Sequence, residues 1–352
     1  MRIMKSFLLS TTLFSASTVA AQADVNVVAS IKPVHSLVAA VMEGVGEPDL
    51  IVEGAGSPHN YALKPSQAQE LESADVVFWI GHELEAFLEK PLEALASEAR
   101  VVELIDAHGL VRLAFREGGA FDEHDHEAHA EAGHDDHGHE EHAEHGHDDH
   151  GHEEHAEHGH DDHGHEEHAE HGHDDHGHGA YDPHVWLDPI NAKALVHEIE
   201  ESLSEADPAN AEIYEANAEN IMKRLDDLVA EVSDELSSVN DKPFVVFHDA
   251  YQNFEERFGL SAVGSITVSP EVMPGAERIS ELRHEVKDLN AACVFSEPQL
   301  EPKLVSTVTE GTSARTGVLD PLGASIVDGP ELYFTLIRNM ASAFKTCLSS
   351  TS

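Results

Sequence analysis

The chain has 352 residues, with 68 Asp or Glu against 20 Lys or Arg, and its formal net charge is −48. Because binding to phosphates requires a basic face, this charge argues against nucleic acid as a partner. The negative field attracts cations in general, but it does not select one of them.

The first 23 residues have the pattern of a secretory signal peptide. Arg2 and Lys5 precede a mostly apolar stretch, and residues 21–23 form an A-x-A cleavage site. The alternative is a membrane anchor, which fits less well because the apolar stretch is too short to span a bilayer comfortably. We therefore expect cleavage near Ala23 and an exported, unanchored protein in the periplasm.

Short β-rich runs alternate with helical stretches, which predicts an α/β protein with βαβ units and mainly parallel sheets. Strands are predicted at 25–30, 49–52, 75–80, 100–104, 244–247, 262–266, 291–295 and 316–319. Helices are predicted at 33–43, 65–73, 189–204, 208–238 and 330–347. Asp188 and Pro189 are residue types favoured at an N-cap and at the first helical position.

The predicted helix at 208–238 is long enough to bridge two lobes. The resulting domain prediction is a signal peptide (1–23), an N-terminal α/β lobe (24–187), a linking helical region (188–240) and a C-terminal α/β lobe (241–352).

A histidine-rich insertion at 117–180 interrupts the N-terminal lobe. It contains 21 of the 29 histidines of the chain, 23 Asp or Glu, and no Lys or Arg. The unit HDDHGHEEHAEHG begins at His134, His147 and His160, and a shortened copy begins at His173. Such a composition cannot bury enough apolar surface to offset the entropy of ordering, so we expect a disordered loop.

Imidazole is a good ligand for Zn, Cu and Ni, so we predict that this insertion binds metal as an auxiliary loop. The histidines assigned to this role are His134, His137, His139, His142, His145, His147, His150, His152, His155 and His158. The simpler alternatives are a solvated linker and a repeat expanded by replication slippage.

Three histidines outside the insertion, His59, His184 and His248, lie just beyond strands or in the turn before a helix. In open α/β sheets ligands bind outside the carboxyl ends of the strands, so imidazoles converging there from two lobes would form a site suited to Zn²⁺. Asp320, at the end of another strand, or a water molecule would supply a fourth ligand. Each histidine taken alone is more simply a surface residue or a helix cap. His82 also follows a strand and could lie near the cleft.

The two cysteines, Cys293 and Cys347, favour a disulfide, since an exported compartment permits one and the count is even. Two buried free thiols are the alternative. The pair lacks CxxC spacing, which argues against a metal site built from cysteine.

Several short motifs are spread along the mature chain: SIKP at 30–33, PHNY at 58–61, KPS at 64–66, DPHVWLDP at 182–189, FHDAY at 247–251, SEPQ at 296–299 and LDPLG at 319–323. Together they resemble the periplasmic zinc-binding proteins of high-affinity zinc ABC transporters, the ZnuA type of ABC solute-binding protein. The combination is far more specific than any one motif. An acidic, His-rich insertion before DPHVWLDP is itself typical of the zinc members.

This resemblance implies two α/β lobes joined by one long rigid helix, with zinc bound between the lobes. His59, His184 and His248 fall on the three histidine ligands of the family. Pro58 stands where some zinc members have a Glu ligand, so that ligand is absent here. Related manganese members have Glu in place of the third histidine, so His248 indicates zinc.

The resemblance also covers the C-terminal lobe. Asp320 approximately matches an Asp ligand of the manganese members, and Glu297 is interpreted as a residue of the cleft that supports the site without binding metal. The disulfide of the zinc members matches Cys293 and Cys347.

We therefore expect a solute-binding protein, a monomer and not an enzyme, that captures Zn²⁺ and delivers it to the permease of an ABC importer. The insertion would act as an auxiliary low-affinity collector or sensor. The chain has no GxxxxGK[ST] loop for ATP hydrolysis. Zinc binding should weaken as the pH falls through the ordinary pKa of histidine, about 6.5. The alternatives are a zinc-dependent hydrolase with an open three-histidine site, and a metal buffer or adhesin that acts mainly through the repeats.

Overall fold

The computed structural model describes residues 25–116, 181–267, 275–288, 290–299 and 302–349. The predicted signal peptide and the insertion at 117–180, with its ten assigned histidines, lie outside these ranges.

Two four-stranded parallel sheets organise the described residues. Their strands are β1 (Val27–Ile31), β2 (Asp49–Val52), β3 (Val76–Trp79), β4 (Arg100–Glu103), β5 (Phe244–His248), β6 (Ala262–Thr267), β7 (Cys293–Ser296) and β8 (Arg315–Val318). The first sheet has the order β2-β1-β3-β4 and the second the order β6-β5-β7-β8. All the strand pairs within them are parallel. The predicted α/β class with parallel sheets is therefore confirmed.

Helices connect and cover these strands. Within the described ranges they are α1 (Lys32–Val41), α2 (Pro65–Ser73), α3 (Glu89–Leu95), α4 (Pro189–Ala206), α5 (Ala211–Leu236), α6 (Gln252–Phe258), α7 (Ala276–Asp288), α8 (Pro302–Thr309) and α9 (Leu332–Ser349). The five helices expected from the sequence are present. The sequence analysis missed α3, α6, α7 and α8, each of which lies between two consecutive strands.

Helices α4 and α5 link the two sheets and pack against each other. Pro189 is the first residue of α4, and the Asp188 carboxylate caps the helix by accepting a hydrogen bond from the backbone N–H of Ile190 at 2.8 Å. The 26-residue α5 buries one stripe of side chains at helical spacing, among them Ile221, Leu225 and Leu228. The long linking helix expected at 208–238 is present, with α4 alongside it.

The main hydrophobic cluster draws on both sheets and on α1, α4, α5 and α9. Helix α9 packs against α5 and α1 as well as against β8. Because this cluster runs through the whole described chain, the domain bounds at 187 and 240 stay a prediction. Among the described residues, no helix has the length and apolar character that crossing a membrane requires.

Strand β5 is buried on both faces. Phe244 and Val246 belong to the main cluster, while Val245 and Phe247 belong to a second cluster with α7 and α8. This alternation follows from the two-residue period of a strand. Nearby, Cys293 of β7 and Cys347 of α9 form a disulfide, which confirms the favoured pairing.

Candidate metal centre

His59 lies in the loop after β2, and Gln67 of α2 holds this loop in shape. The buried Gln67 amide donates hydrogen bonds to the carbonyl of Ile51 at 2.6 Å and to the Tyr61 hydroxyl at 3.1 Å. A Cβ at Gly56 would lie 2.9 Å from the Tyr61 ring, so only glycine allows this close packing. The loop thereby folds back and presents His59 beyond the carboxyl end of β2.

His184 lies just before a 3₁₀ turn, and Asp182 fixes its orientation. Oδ1 of Asp182 accepts a hydrogen bond from the backbone N–H of His184 at 3.0 Å and lies 2.7 Å from its Nδ1. Oδ2 accepts a hydrogen bond from the Asn253 amide at 2.9 Å. A carboxylate beside Nδ1 places the ring proton there, which leaves Nε2 free for a metal.

His248 is the last residue of β5, on the same face as Phe244 and Val246. Its Nδ1 lies 2.6 Å from Oε1 of Glu297, which follows the neighbouring strand β7. The Glu297 carboxylate therefore orients His248 as Asp182 orients His184. The expected supporting role of Glu297 agrees with this contact.

The three histidines converge. Their ring centroids lie 5.4 Å apart for His59–His184, 5.6 Å for His59–His248 and 5.3 Å for His184–His248. One ring nitrogen of each lies within 4.8 Å of those of the other two. Nε2 of His184 and Nε2 of His248 are 3.4 Å apart. Two nitrogens bound to one tetrahedral Zn²⁺ at 2.0–2.1 Å are about 3.3 Å apart, so this spacing suits a shared zinc ion.

Burial and the neighbouring charges set the protonation of the group. Burial lowers the pKa of His59 to about 2, and His184 and His248 add to this shift. Burial likewise holds the pKa of His184 well below its usual value. Burial also acts against protonation of His248, but the Glu297 carboxylate outweighs it and raises the pKa of His248. Two of the three imidazoles are therefore neutral at neutral pH, as metal binding requires.

The pocket at the three histidines is small. Among the described residues its lining is Ser57, Pro58, His59, His184, Trp186, His248, Glu297, Gln299, Pro321 and Leu322. About 20 Å³ of it is open to the centre of a water molecule. One water needs about 10–15 Å³ by this measure, and pockets for organic ligands measure roughly 300–1,000 Å³. The space suits a metal ion with a water ligand.

Asp320 is not part of the three-histidine group. Its Oδ1 accepts hydrogen bonds from the backbone N–H groups of Leu322 at 3.2 Å and Gly323 at 2.9 Å. Its Oδ2 accepts one from Ala324 at 2.7 Å. The carboxylate thus caps the turn after β8, and the structure does not bring it to the group as a fourth ligand.

His82 also lies outside the group. It is about half exposed, and its Nδ1 is 3.3 Å from Oε2 of Glu89. The sequence analysis gave no role to Asp182, although it stands two residues before His184 in the DPH motif. That spacing is the signal that could have indicated it, because an Asp side chain reaches the backbone N–H two residues later.

The family model described as zinc-uptake complex component A, periplasmic (ZnuA) matches residues 27–347. The chain belongs to the ZnuA family. It is 55% identical over 336 residues to the high-affinity zinc uptake system protein ZnuA of Brucella suis, covering 96% of this chain and 95% of that protein. The identity to the ZnuA protein of Haemophilus influenzae is 38% over 349 residues, with 99% of each chain covered.

A crystal structure of a zinc-bound ZnuA deletion mutant has the same fold, with a TM-score of 0.68 and 21% identity over 94% of this chain and 100% of that one. As a ZnuA-family member, the chain is the periplasmic zinc-binding component of a zinc uptake system. It is a binding protein and not an enzyme, so the hydrolase alternative is set aside.

Proposed function

We propose that His59, His184 and His248 bind the zinc ion that this protein carries, and that water completes the tetrahedron. The observation that carries this proposal is the 3.4 Å separation of two Nε2 atoms whose rings are each oriented by a buried carboxylate. Water is the better candidate for the fourth position than Asp320, because the Asp320 carboxylate already accepts hydrogen bonds from three backbone N–H groups.

The zinc bound here is cargo for the permease of an ABC importer. Three imidazoles and a water bind a cation reversibly, without covalent chemistry. The names of the relatives, high-affinity zinc uptake system proteins, support this direction of transport. We further propose that the protein acts as a monomer after cleavage near Ala23, which the mass of the exported chain would check.

The histidine-rich insertion collects zinc at weaker sites and passes it to the three histidines. Its support is composition: 21 histidines and 23 carboxylates in 64 residues give a high local ligand concentration. Without a preformed geometry, each such site should bind more weakly than the centre.

A zinc titration against a competing chelator at neutral pH tests these assignments. The mature chain is compared with a variant lacking residues 117–179 and with a His59→Ala variant. We expect the deletion to retain one tight site and to lose the weaker ones, and His59→Ala to lose the tight site. Loss of the tight site with the insertion would instead make the repeats the functional metal store.

Delivery is tested separately in cells that lack their own zinc-binding component. The mature chain should restore growth under zinc limitation and His59→Ala should not. Cells with the deletion should grow more slowly only when zinc is scarcest, and normal growth there would contradict the collecting role.

A further inference from the structure

The chain segments on either side of the insertion meet in a short strap beside the metal centre. We define the strap as residues 111–116, which precede the insertion, and residues 181–182, which follow it. Ala114 and Tyr181 form an antiparallel bridge, and the N–H of Asp182 donates a hydrogen bond to the carbonyl of Leu113 at 2.8 Å. The strap therefore holds residues 111–116 and 181–182 together.

Arg116 joins the strap to the segment that follows β5. Its Nε lies 3.1 and 3.0 Å from the two carboxylate oxygens of Asp249, and its Nη2 also bonds Asp249. Nη1 donates to Glu255 at 2.8 Å and Nη2 at 3.1 Å. The side chains of Asp249 and Glu255 are only 10% and 5% exposed. Burying two carboxylates this close together destabilises the fold unless a cation compensates their charge. The Arg116 guanidinium does so, because its planar set of N–H donors can bond both carboxylates at once.

These contacts lead to two of the proposed zinc ligands. Asp249 follows His248 directly in the chain, and Asp182 of the strap holds His184 through two hydrogen bonds. A continuous series of contacts thus runs from His184 through Asp182, the strap and Arg116 to Asp249 and His248.

We propose that Arg116 is a positioning residue of the metal centre: it holds His248 at the distance from His184 that zinc requires before the ion arrives. This inference rests on the proposed function of the three histidines. Without the guanidinium, the carboxylates of Asp249 and Glu255 repel each other, and a shift of Asp249 moves the His248 backbone with it. Zinc must then reassemble the site, so affinity falls without the loss of any ligand.

The test uses Arg116→Gln and Arg116→Lys in the full mature chain, with Arg338→Gln as the matched control. Arg338 of α9 also binds a carboxylate through Nε and Nη2, at 2.9 Å each, but its pair with Glu231 is exposed and lies outside the strap. Loss of a residue that orients metal ligands typically costs about 10–100-fold in affinity, and we expect this range for Arg116→Gln. Arg116→Lys keeps the charge but cannot make the paired hydrogen bonds to both Asp249 and Glu255. Its zinc dissociation constant should therefore lie between those of wild type and Arg116→Gln. Arg338→Gln should bind zinc as wild type does.

Cobalt reports on the geometry independently of stability. The visible spectrum of Co²⁺ in the centre should change for both Arg116 variants and remain that of wild type for Arg338→Gln. Wild-type affinity and an unchanged cobalt spectrum in folded Arg116→Lys, or in folded Arg116→Gln, would overturn the inference even if the variant melts at a lower temperature. His59→Ala measured in parallel separates the two proposals. If His59→Ala keeps tight binding, the proposed ligand set fails; if only the Arg116 variants bind normally, this inference alone fails.

Discussion

His248 and Glu297 form a buried hydrogen bond in which Nδ1 lies 2.6 Å from Oε1, with side chains only 6% and 2% exposed. The carboxylate makes the imidazole a stronger ligand and fixes its direction. The same arrangement recurs at Asp182 and His184, so two of the three rings are aimed at a common point by hydrogen bonds to buried carboxylates.

Replacing Glu297 should therefore weaken zinc binding. In Glu297→Gln the amide oxygen still accepts the Nδ1 proton but the charge is lost, and we expect the zinc dissociation constant to rise by about 10-fold or more. Competition with a chelator measures it. Glu310→Gln is the control, because Glu310 is exposed and forms a surface ion pair with Arg283. Equal affinities for the two variants would contradict this role of Glu297.

Asp320→Asn separates a structural role from a ligand role. The Asn oxygen can still accept hydrogen bonds from Leu322 and Gly323, but the N–H of Ala324 loses its acceptor. We expect a loss of about 1–3 kcal/mol in the free energy of unfolding of the metal-free protein, measured by urea denaturation. The zinc dissociation constant should stay at the wild-type value. A loss of tight binding comparable to that of His59→Ala would make Asp320 a ligand after all.

Glu85 should make the stability of the metal-free protein depend on pH. It is fully buried in the loop after β3, and its Oε2 accepts hydrogen bonds from the N–H groups of Ile80 and Gly81 at the start of that loop. Burial raises the pKa of Glu85 from 4.5 to about 7. The folded state therefore holds the proton on Glu85 more tightly than the unfolded state does, so this proton stabilises the fold. The stabilisation is complete below pH 4.5 and is lost as the pH rises to about 7.

Glu85→Gln keeps the acceptor and removes this titration. Relative to wild type, the variant should gain about 3 kcal/mol of unfolding free energy between pH 4.5 and 8, measured by denaturation at several pH values. Glu93→Gln, at an exposed position of α3, is the control, and the difference between its unfolding free energy and that of wild type should not change with pH. A pH-independent difference between Glu85→Gln and wild type would refute the assignment.

The disulfide between Cys293 and Cys347 should contribute mainly to stability. It closes a loop across 54 positions, for which the chain-entropy model gives about 4 kcal/mol. The double variant Cys293→Ser/Cys347→Ser should unfold at a correspondingly lower urea concentration. Zinc affinity, measured well below that transition, should be unchanged. A large loss of affinity in the folded double variant would show that the bridge also shapes the metal centre.

Much of the fold could be predicted because local signals agree with the tertiary structure. Strand β2 and helix α2 have the predicted bounds, since glycines follow the strand and Pro65 begins the helix. Helix α6 was missed because its seven residues, directly after the FHDAY motif, give too little periodicity. Helix α7 was missed because only Leu282 and Val286 of its thirteen residues are buried, so its apolar stripe is narrow.

The site could be predicted only in part, for a physical reason. The positions of His59, His184 and His248 relative to strands and turns are local features, and the family motifs mark them. The role of Arg116 depends on Asp249 and Glu255, which are 133 and 139 positions away. A local sequence pattern does not predict ion pairs between residues so far apart in the chain.

At Asp320 the local sequence pattern and the contacts in the structure point to different roles. Its place after a strand resembled that of a ligand, but its own turn offered three nearby backbone donors. A short carboxylate bonds such donors readily, which is why Asp so often caps turns.

The packing of α9 against α1 dictates the order in which this protein can fold. The Ser36 hydroxyl donates to the carbonyl of Gly329 at 2.8 Å and accepts from the N–H of Tyr333 at 2.9 Å, across 293 and 297 positions. A chain that emerges N-terminus first therefore carries α1 without its final neighbours until almost the last residue has appeared. Contacts this distant in sequence form late, because they must close the longest loops. Removing α9 would leave an unfinished core and not a smaller stable protein.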